Sequence, residues 1–315
     1  MFSLQLLLLL APLVTAHVGM WHPSMFGYDR EDGTPKHAVP IREMDNWGVE
    51  QWFKKGFEND EPAPGQFLPI VSGGNSVFEL SCQRGFTTQR KNHFNPNPEL
   101  YACNNAGALH TANQYGKPTN RDLFGGTYIA ISYTNDIHAL KPEDMTIISV
   151  NWNSPWKRLT RYYFPKGMPK CPPGGCLCSW GWIHTKNHGE GYGDEMYNEL
   201  YRCDVTGQTD DNNMVPKGRV PAYCYGDDRK CVTGPKQPMY LFVKSGGNTA
   251  KPSRSEENPT YNYRWGFKVD GAQQDAVVRK PGRRRAFPPQ GRRDFEEDID
   301  ATEFFLATNV TEAAE

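Results

Sequence analysis

Apolar and polar positions alternate in several short stretches that are rich in β-branched and aromatic residues. Gly, Pro, Asn or Asp, which favour turns, bound these stretches, and helical periodicity is scarce. The pattern predicts strands at 76–80, 126–134, 145–152, 158–164, 195–205 and 239–245. Short strands with few helices predict an all-β fold, namely an antiparallel, immunoglobulin-like β-sandwich with long loops.

The two ends of the chain do not fit this pattern. Residues 1–16, MFSLQLLLLLAPLVTA, are an apolar run followed by the small side chains that precede a cleavage site, which is typical of a secretory signal peptide. Residues 271–315 contain a basic block and then an acidic block without apolar periodicity, and they predict a disordered tail. We therefore expect one domain over 17–270, with the sequon Asn309-Val310-Thr311 in the tail marking a glycoprotein.

Composition narrows the classes of function. The net charge of −1 gives no field that would attract nucleic acid, and no segment after the leader is long enough to span a membrane. Phosphate-binding, dinucleotide-binding and serine-nucleophile motifs are missing. Eight cysteines in an exported chain favour up to four disulfides over a zinc or redox site at CPPGGCLC, and they leave 105 pairings open.

Cleavage after Ala16 would make His17 the first residue of the mature chain, in HVGMWHPSMFG. Its α-amino group and imidazole can then chelate one metal ion, and another imidazole would complete a set of three nitrogens. Such a set suits Cu(II). Copper must displace the amine proton and needs a neutral imidazole, so we expect binding to weaken in acid.

On this opening motif, the chain resembles the lytic polysaccharide monooxygenases, and within them auxiliary activity family 14. The resemblance extends from His17 to about residue 270. It implies one copper ion per chain in a histidine brace, with a second histidine from a loop and an axial tyrosine from a strand.

For the second histidine we choose His110, which follows Cys103 in the loop CNNAGALHTANQ. His93 and His138 are the next candidates, and His22 lies very near His17 in the chain. A loop histidine that only stabilises its own turn is the structural alternative.

The axial ligand is expected in GWIHTKNHGEGYGDEMYNELYRCDV. Cellulose-active monooxygenases carry a His and then Gln-x-Tyr on a strand that runs towards a cysteine. Here His184 matches the His, and Glu195-Met196-Tyr197 stands at the Gln-x-Tyr, with Glu in place of Gln. A period of two puts Tyr201 on the same strand face, so it competes with Tyr197. His184 and Glu195 are the candidate catalytic residues, able to hydrogen-bond an oxygen species near the copper.

The resemblance implies a secreted, extracellular oxidoreductase that cleaves plant polysaccharide oxidatively, with xylan on cellulose as the substrate and O2 or H2O2 as the oxidant. No flavin or haem motif is present, so an external electron donor is required. We expect a monomer with no nucleic-acid or membrane partner. The alternative hypothesis is a non-catalytic secreted protein that binds copper or carbohydrate, in which exposed rings such as Trp21 would stack on sugars.

Overall fold

Most of the strands lie in two sheets of unequal size. The computed structural model describes residues 18–28, 46–82, 84–89, 101–103, 124–184, 195–250 and 258–281. The strands in chain order are β1 (Gly19–Trp21), β2 (Leu68–Ser72), β3 (Asn75–Ser81), β4 (Thr127–Ser132), β5 (Thr146–Asn151), β6 (Leu159–Tyr163), β7 (Cys176–Ile183), β8 (Met196–Gly207), β9 (Asn213–Met214), β10 (Gly271–Ala272) and β11 (Val278–Arg279).

The larger sheet has six strands in the order β10-β5-β4-β7-β8-β2, and the smaller has three in the order β1-β3-β6. Strands β9 and β11 form a separate two-stranded ribbon. Among the described residues there is one α-helix, α1 (Val49–Lys54). Short 3-10 turns occur at Arg84–Phe86, Pro142–Asp144, Asp228–Lys230, Tyr263–Trp265 and Gln274–Ala276. The predicted all-β sandwich is confirmed.

Both faces of the larger sheet are buried. Ile129 and Ile131 of β4 pack with the smaller sheet, whereas Tyr128 and Ala130 pack in a second cluster that includes Trp52 of α1. A strand covered on both sides needs no polar face, which explains why β4 and β7 read as continuous apolar runs. Trp182 lies in the interior, and the sequence of its strand shows no alternation of apolar and polar residues, because both faces are covered.

All eight cysteines form disulfides, which confirms that interpretation over a zinc or redox site. The pairs are Cys82–Cys103, Cys171–Cys176, Cys178–Cys203 and Cys224–Cys231. Cys178–Cys203 joins β7 to β8, the two strands that carry the candidate site. Cys82–Cys103 fixes the residue after β3 to Cys103, which precedes His110 in the sequence.

Two expectations about the strands are wrong. The stretch 239–245 is not a strand, because Phe242 has a φ of 62° and Tyr240 bonds to the nearby loop through Asn248 instead of to a neighbouring strand. Its apolar residues are buried for packing, which mimics a strand in the sequence. The larger sheet is also not wholly antiparallel: β2 runs parallel to β8, which the long connection through β3 and the other sheet permits.

The described part of the chain contains no helix of the length and apolarity that a bilayer crossing requires. The compact unit ends at Lys280, and a second unit begins at Pro281, the only residue of it that is described. β11 lies beyond residue 270 and pairs with β9.

Candidate metal centre

Tyr197 is a buried tyrosine near the start of β8. Its ring stacks on Trp182 of β7, with the centroids 5.1 Å apart and the planes 19° from parallel. The two residues are direct partners across the β7–β8 ladder, which is why their rings overlap. The Tyr197 hydroxyl donates a hydrogen bond of 2.8 Å to Oε2 of Glu195. The phenol oxygen is thus held in one position at the end of the sheet.

His184 and Glu195 lie where β7 ends and β8 begins. The backbone N–H of His184 donates to the Glu195 carbonyl at 2.9 Å, which continues the β7–β8 ladder by one residue pair beyond the two strands. The His184 ring lies 4.8 Å from the Trp182 ring, and both His184 and Glu195 are buried. Asn258 Nδ2 donates to the His184 carbonyl at 2.6 Å. The structure therefore brings His184, Glu195 and Tyr197 together at one end of the β7–β8 strand pair.

A series of contacts connects this cluster to the described neighbours of the predicted nitrogen ligands. Trp182 Nε1 donates to the Phe124 carbonyl at 2.6 Å, and the Phe124 ring stacks on Trp156 at 6.2 Å. The Trp156 carbonyl accepts from the N–H of Ala102, next to Cys103.

The same region receives β1. Gly19 pairs with Ser81, and the next residue, Cys82, bonds to Ala102 and Cys103. The residues that follow His17 and those that precede His110 are thus linked to the Tyr197 cluster indirectly, through Phe124 and Trp156.

Tyr201 has a different environment from Tyr197. Its hydroxyl lies 2.5 Å from the Met20 carbonyl and 2.6 Å from Oε2 of Glu199, while the Met20 N–H donates to the same Oε2 at 2.7 Å. We call this set of Met20, Glu199 and Tyr201 the clasp, because it ties β1 to β8. The Tyr201 hydroxyl is thus committed to holding β1.

Lys55, which follows α1, lies close enough to Glu199 for the two charges to interact. Its Nζ donates to the Asn198 carbonyl at 2.7 Å. Burial raises the pKa of Glu199 to about 8, and hydrogen bonding from Tyr201 and the charge of Lys55 limit the rise. Burial lowers the pKa of Lys55 to about 8, partly offset by the charge of Glu199. The two groups line a small cavity with Phe53.

Not every predicted histidine falls within reach of this cluster. His17, His93 and His110 lie outside the described residues. His138 is exposed and follows the opposite end of β4 from Thr127, the residue that pairs with Trp182. His22 bonds to Ser24 through Nδ1, and burial lowers its pKa to about 4. The described ranges hold no group of three or more His, Cys, Asp and Glu side chains that could bind a metal ion.

Sequence reasoning did not identify the residues that support the cluster. Trp182 and Asn258 gave no signal, since their roles depend on the β7–β8 register and on a contact between residues 74 positions apart. Glu199 was identifiable, because the period of two puts it on the same strand face as Tyr197 and Tyr201. A carboxylate that is buried on such a face is expected to have a hydrogen-bond partner.

Known proteins resemble this chain over most of its length. A family profile described as lytic polysaccharide monooxygenase AA14 matches residues 1–289. The chain is 32% identical over 285 residues to AA14 family lytic polysaccharide monooxygenase B of Pycnoporus cinnabarinus, covering 85% of this chain and 71% of that protein.

Two further relatives have the same name. The one from Trametes coccinea is 32% identical over 287 residues, covering 85% of this chain and 64% of the relative. The one from Talaromyces rugulosus is 31% identical over 286 residues, covering 84% of this chain and 94% of the relative. The chain thus spans slightly less than two thirds of the Trametes protein.

Proposed function

Since the chain belongs to the AA14 family of lytic polysaccharide monooxygenases, we propose that it is a secreted copper enzyme that cleaves plant cell-wall polysaccharide oxidatively. The proposed substrate is xylan on cellulose, and the cosubstrate is O2 or H2O2 with an external reductant. The observation that supports this proposal is the cluster of Tyr197, Glu195 and His184, which Phe124 and Trp156 link to described neighbours of His17 and His110.

The donor groups fit copper. His17 and His110 would supply three nitrogens, counting the terminal amine, and Tyr197 would supply an oxygen. Nitrogen donors of this kind suit Cu(II). When bound, copper supplies the redox chemistry by which the oxidant attacks a C–H bond of the glycan.

The chain's own residues position and protect this chemistry. Glu195 accepts the Tyr197 proton in a hydrogen bond, which fixes the direction of the phenol oxygen. The Trp182 ring holds the Tyr197 ring from the side. His184, fixed through its backbone by Glu195 and Asn258, would hydrogen-bond the oxidant and hold or release a proton there. The rings of Trp182 and Tyr197 are buried, so they would exclude water from the interior side of the site.

One experiment tests the enzyme against a plain binder. The mature protein, with His17 confirmed as its first residue by N-terminal sequencing, is loaded with copper and incubated with xylan-coated cellulose and ascorbate. We expect oxidised oligosaccharides in the mass spectrum that need both copper and reductant. A matched protein with one additional alanine before His17 should bind copper weakly and form no such products, because its amine is no longer part of the chelate.

The second ligand is tested by a pair of histidine variants. His110→Ala should lose tight copper binding and change the electron paramagnetic resonance spectrum, because one of the three proposed nitrogen ligands is lost. His138→Ala, exposed at the opposite end of β4, should behave as the parent protein. An unchanged spectrum for His110→Ala would refute that assignment. Copper and glycan binding without any oxidised product or peroxide consumption would favour the non-catalytic alternative.

A further inference from the structure

Three aromatic side chains form a continuous row on the surface beyond the sheet. The rings of Trp152 and Tyr263 have centroids 5.7 Å apart, and those of Tyr263 and Tyr225 are 5.9 Å apart. Trp152 and Tyr263 are partly buried, whereas Tyr225 is 55% exposed. The guanidinium carbon of Arg264 lies 4.9 Å from the centre of the Tyr225 ring. We call Trp152, Tyr263 and Tyr225 the aromatic row.

The strand register places the aromatic row at the same end of the larger sheet as the candidate metal centre. Tyr197 pairs with Trp182, Trp182 with Thr127, and Thr127 with Asn151, in one line across β8, β7, β4 and β5. Trp152 is the next residue after Asn151 and continues the chain past this line.

One segment runs from the candidate centre to the aromatic row. It begins at Asn258, which bonds to the His184 carbonyl. It then passes Gly125, whose carbonyl accepts from the Tyr261 N–H at 2.7 Å, and reaches Tyr263 two residues later. Because Gly126 has a φ of 77° and the Tyr261 carbonyl would lie 2.8 Å from any Cβ there, this close approach requires glycine. The segment 258–263 therefore connects His184, which is buried, to the aromatic row.

The aromatic row is held in a fixed arrangement. Cys224, next to Tyr225, is in a disulfide with Cys231, and its N–H donates to the Arg264 carbonyl at 2.9 Å. The backbone N–H of Trp152 donates to Oδ1 of Asp270 at 2.9 Å. A surface that is already ordered loses little conformational entropy when a ligand binds.

The geometry points to a single twisted glycan chain as the occupant of the aromatic row, and identifying that chain with the enzyme's substrate rests on the proposed function. Aromatic faces with polar edges suit sugars, because each pyranose has a face of C–H bonds and a rim of hydroxyls. Successive rings are about one sugar unit apart, at 5.7 and 5.9 Å.

The inclination of the rings distinguishes between forms of polysaccharide. Their planes lie at 60° and 59° to one another, so one flat crystalline face cannot contact all three. A chain whose sugar faces rotate along its length, as β-1,4-xylan does, can place one sugar on each ring. The aromatic row would then hold the chain on which the candidate centre acts.

Binding by metal-free protein tests this proposal apart from oxidation. Soluble β-1,4-xylo-oligosaccharides are titrated into the chelator-treated protein by calorimetry. Tyr225→Ala should weaken binding by about tenfold or more, and Tyr225→Phe should retain it, since the ring supplies the contact. The matched control is Tyr163→Ala, a ring 51% exposed on β6 of the smaller sheet, which should leave the affinity unchanged.

Each other outcome overturns the proposal or part of it. Equal affinity of Tyr225→Ala and parent, or equal loss in Tyr163→Ala, removes the aromatic row as a binding surface. If Tyr225→Ala loses binding to crystalline cellulose but keeps its affinity for the soluble xylo-oligosaccharides, a twisted single chain is not the ligand of the aromatic row. If Tyr225→Ala loses xylan affinity while the copper-loaded parent makes no oxidised product, the aromatic row stands and the monooxygenase proposal fails.

Discussion

Two tyrosines four residues apart on one strand have different hydrogen-bond partners, and this difference supports the proposal of Tyr197 as the metal ligand. The Tyr201 hydroxyl is held by a backbone carbonyl and a carboxylate of the clasp. The Tyr197 hydroxyl donates to Glu195, and the rings of Tyr197 and His184 both contact the ring of Trp182. Sequence periodicity put both on one face and could not separate them.

Tyr197→Phe should keep the stacking of the ring on Trp182 and remove one hydrogen bond from the buried Glu195, at a cost of about 1–3 kcal/mol. Its copper affinity should be nearly unchanged, while the electron paramagnetic resonance spectrum shifts. Tyr201→Phe removes two hydrogen bonds of the clasp, at a similar cost of about 1–3 kcal/mol measured by urea unfolding, but it should keep the spectrum. A spectral shift in Tyr201→Phe alone would exchange the two roles.

At the scale of elements, the clasp determines where β1 lies. Met20 and Tyr201 meet at one carboxylate oxygen of Glu199, so this side chain joins the strand that follows His17 to the strand that carries Tyr197. Glu199→Ala should destabilise the protein by about 1–3 kcal/mol and weaken copper binding, whereas Glu199→Gln keeps an acceptor and should lose less of both.

Glu61→Ala is the control for the clasp. It breaks an ion pair of 2.6 Å with Arg202 on the same strand, but Glu61 is 53% exposed, so the loss should be about 0–1 kcal/mol with no effect on copper. Urea unfolding and copper calorimetry on the three variants give both readouts. A clasp variant that unfolds more easily yet binds copper as tightly as the parent would show that β1 is positioned by other contacts.

Elements were predictable from sequence where their burial followed a simple pattern. β3, β4, β5, β6 and β8 lie within or beside the predicted stretches, since their β-branched and aromatic residues are bounded by turn residues. β7 was missed because both its faces are buried, so its sequence shows no alternation of apolar and polar residues. The stretch 239–245 was wrongly predicted because buried side chains do not require a strand.

At the scale of the whole molecule, the sequence was sufficient for the class of fold and not for its topology. Alternation, turn residues and an even number of cysteines indicate a disulfide-linked β-sandwich. The parallel β2–β8 pair, the cysteine pairing and the contact between Asn258 and His184 join distant parts of the chain. Local patterns do not contain such information, and so the aromatic row was also beyond prediction.

The buried Lys55–Glu199 pair gives a pH dependence of global stability. Burial raises the pKa of Glu199 from 4.5 to about 8, so the folded protein holds a proton that the unfolded chain loses, and stability falls as pH rises through this window. Burial lowers the pKa of Lys55 from 10.5 to about 8, so stability rises again as pH increases from 8 to 10.5. The contribution of the pair should therefore be smallest near pH 8.

Urea unfolding of the parent and of the Glu199→Gln/Lys55→Met double variant, measured across this range, isolates the pair, because other titrating groups cancel in the difference. The free energy of unfolding of the parent relative to the variant should pass through a minimum near pH 8. Each unit of pKa difference is worth about 1.4 kcal/mol, so the minimum is large enough to measure. A difference that stays constant with pH would mean that burial does not shift these two groups, and that water reaches the cavity they line.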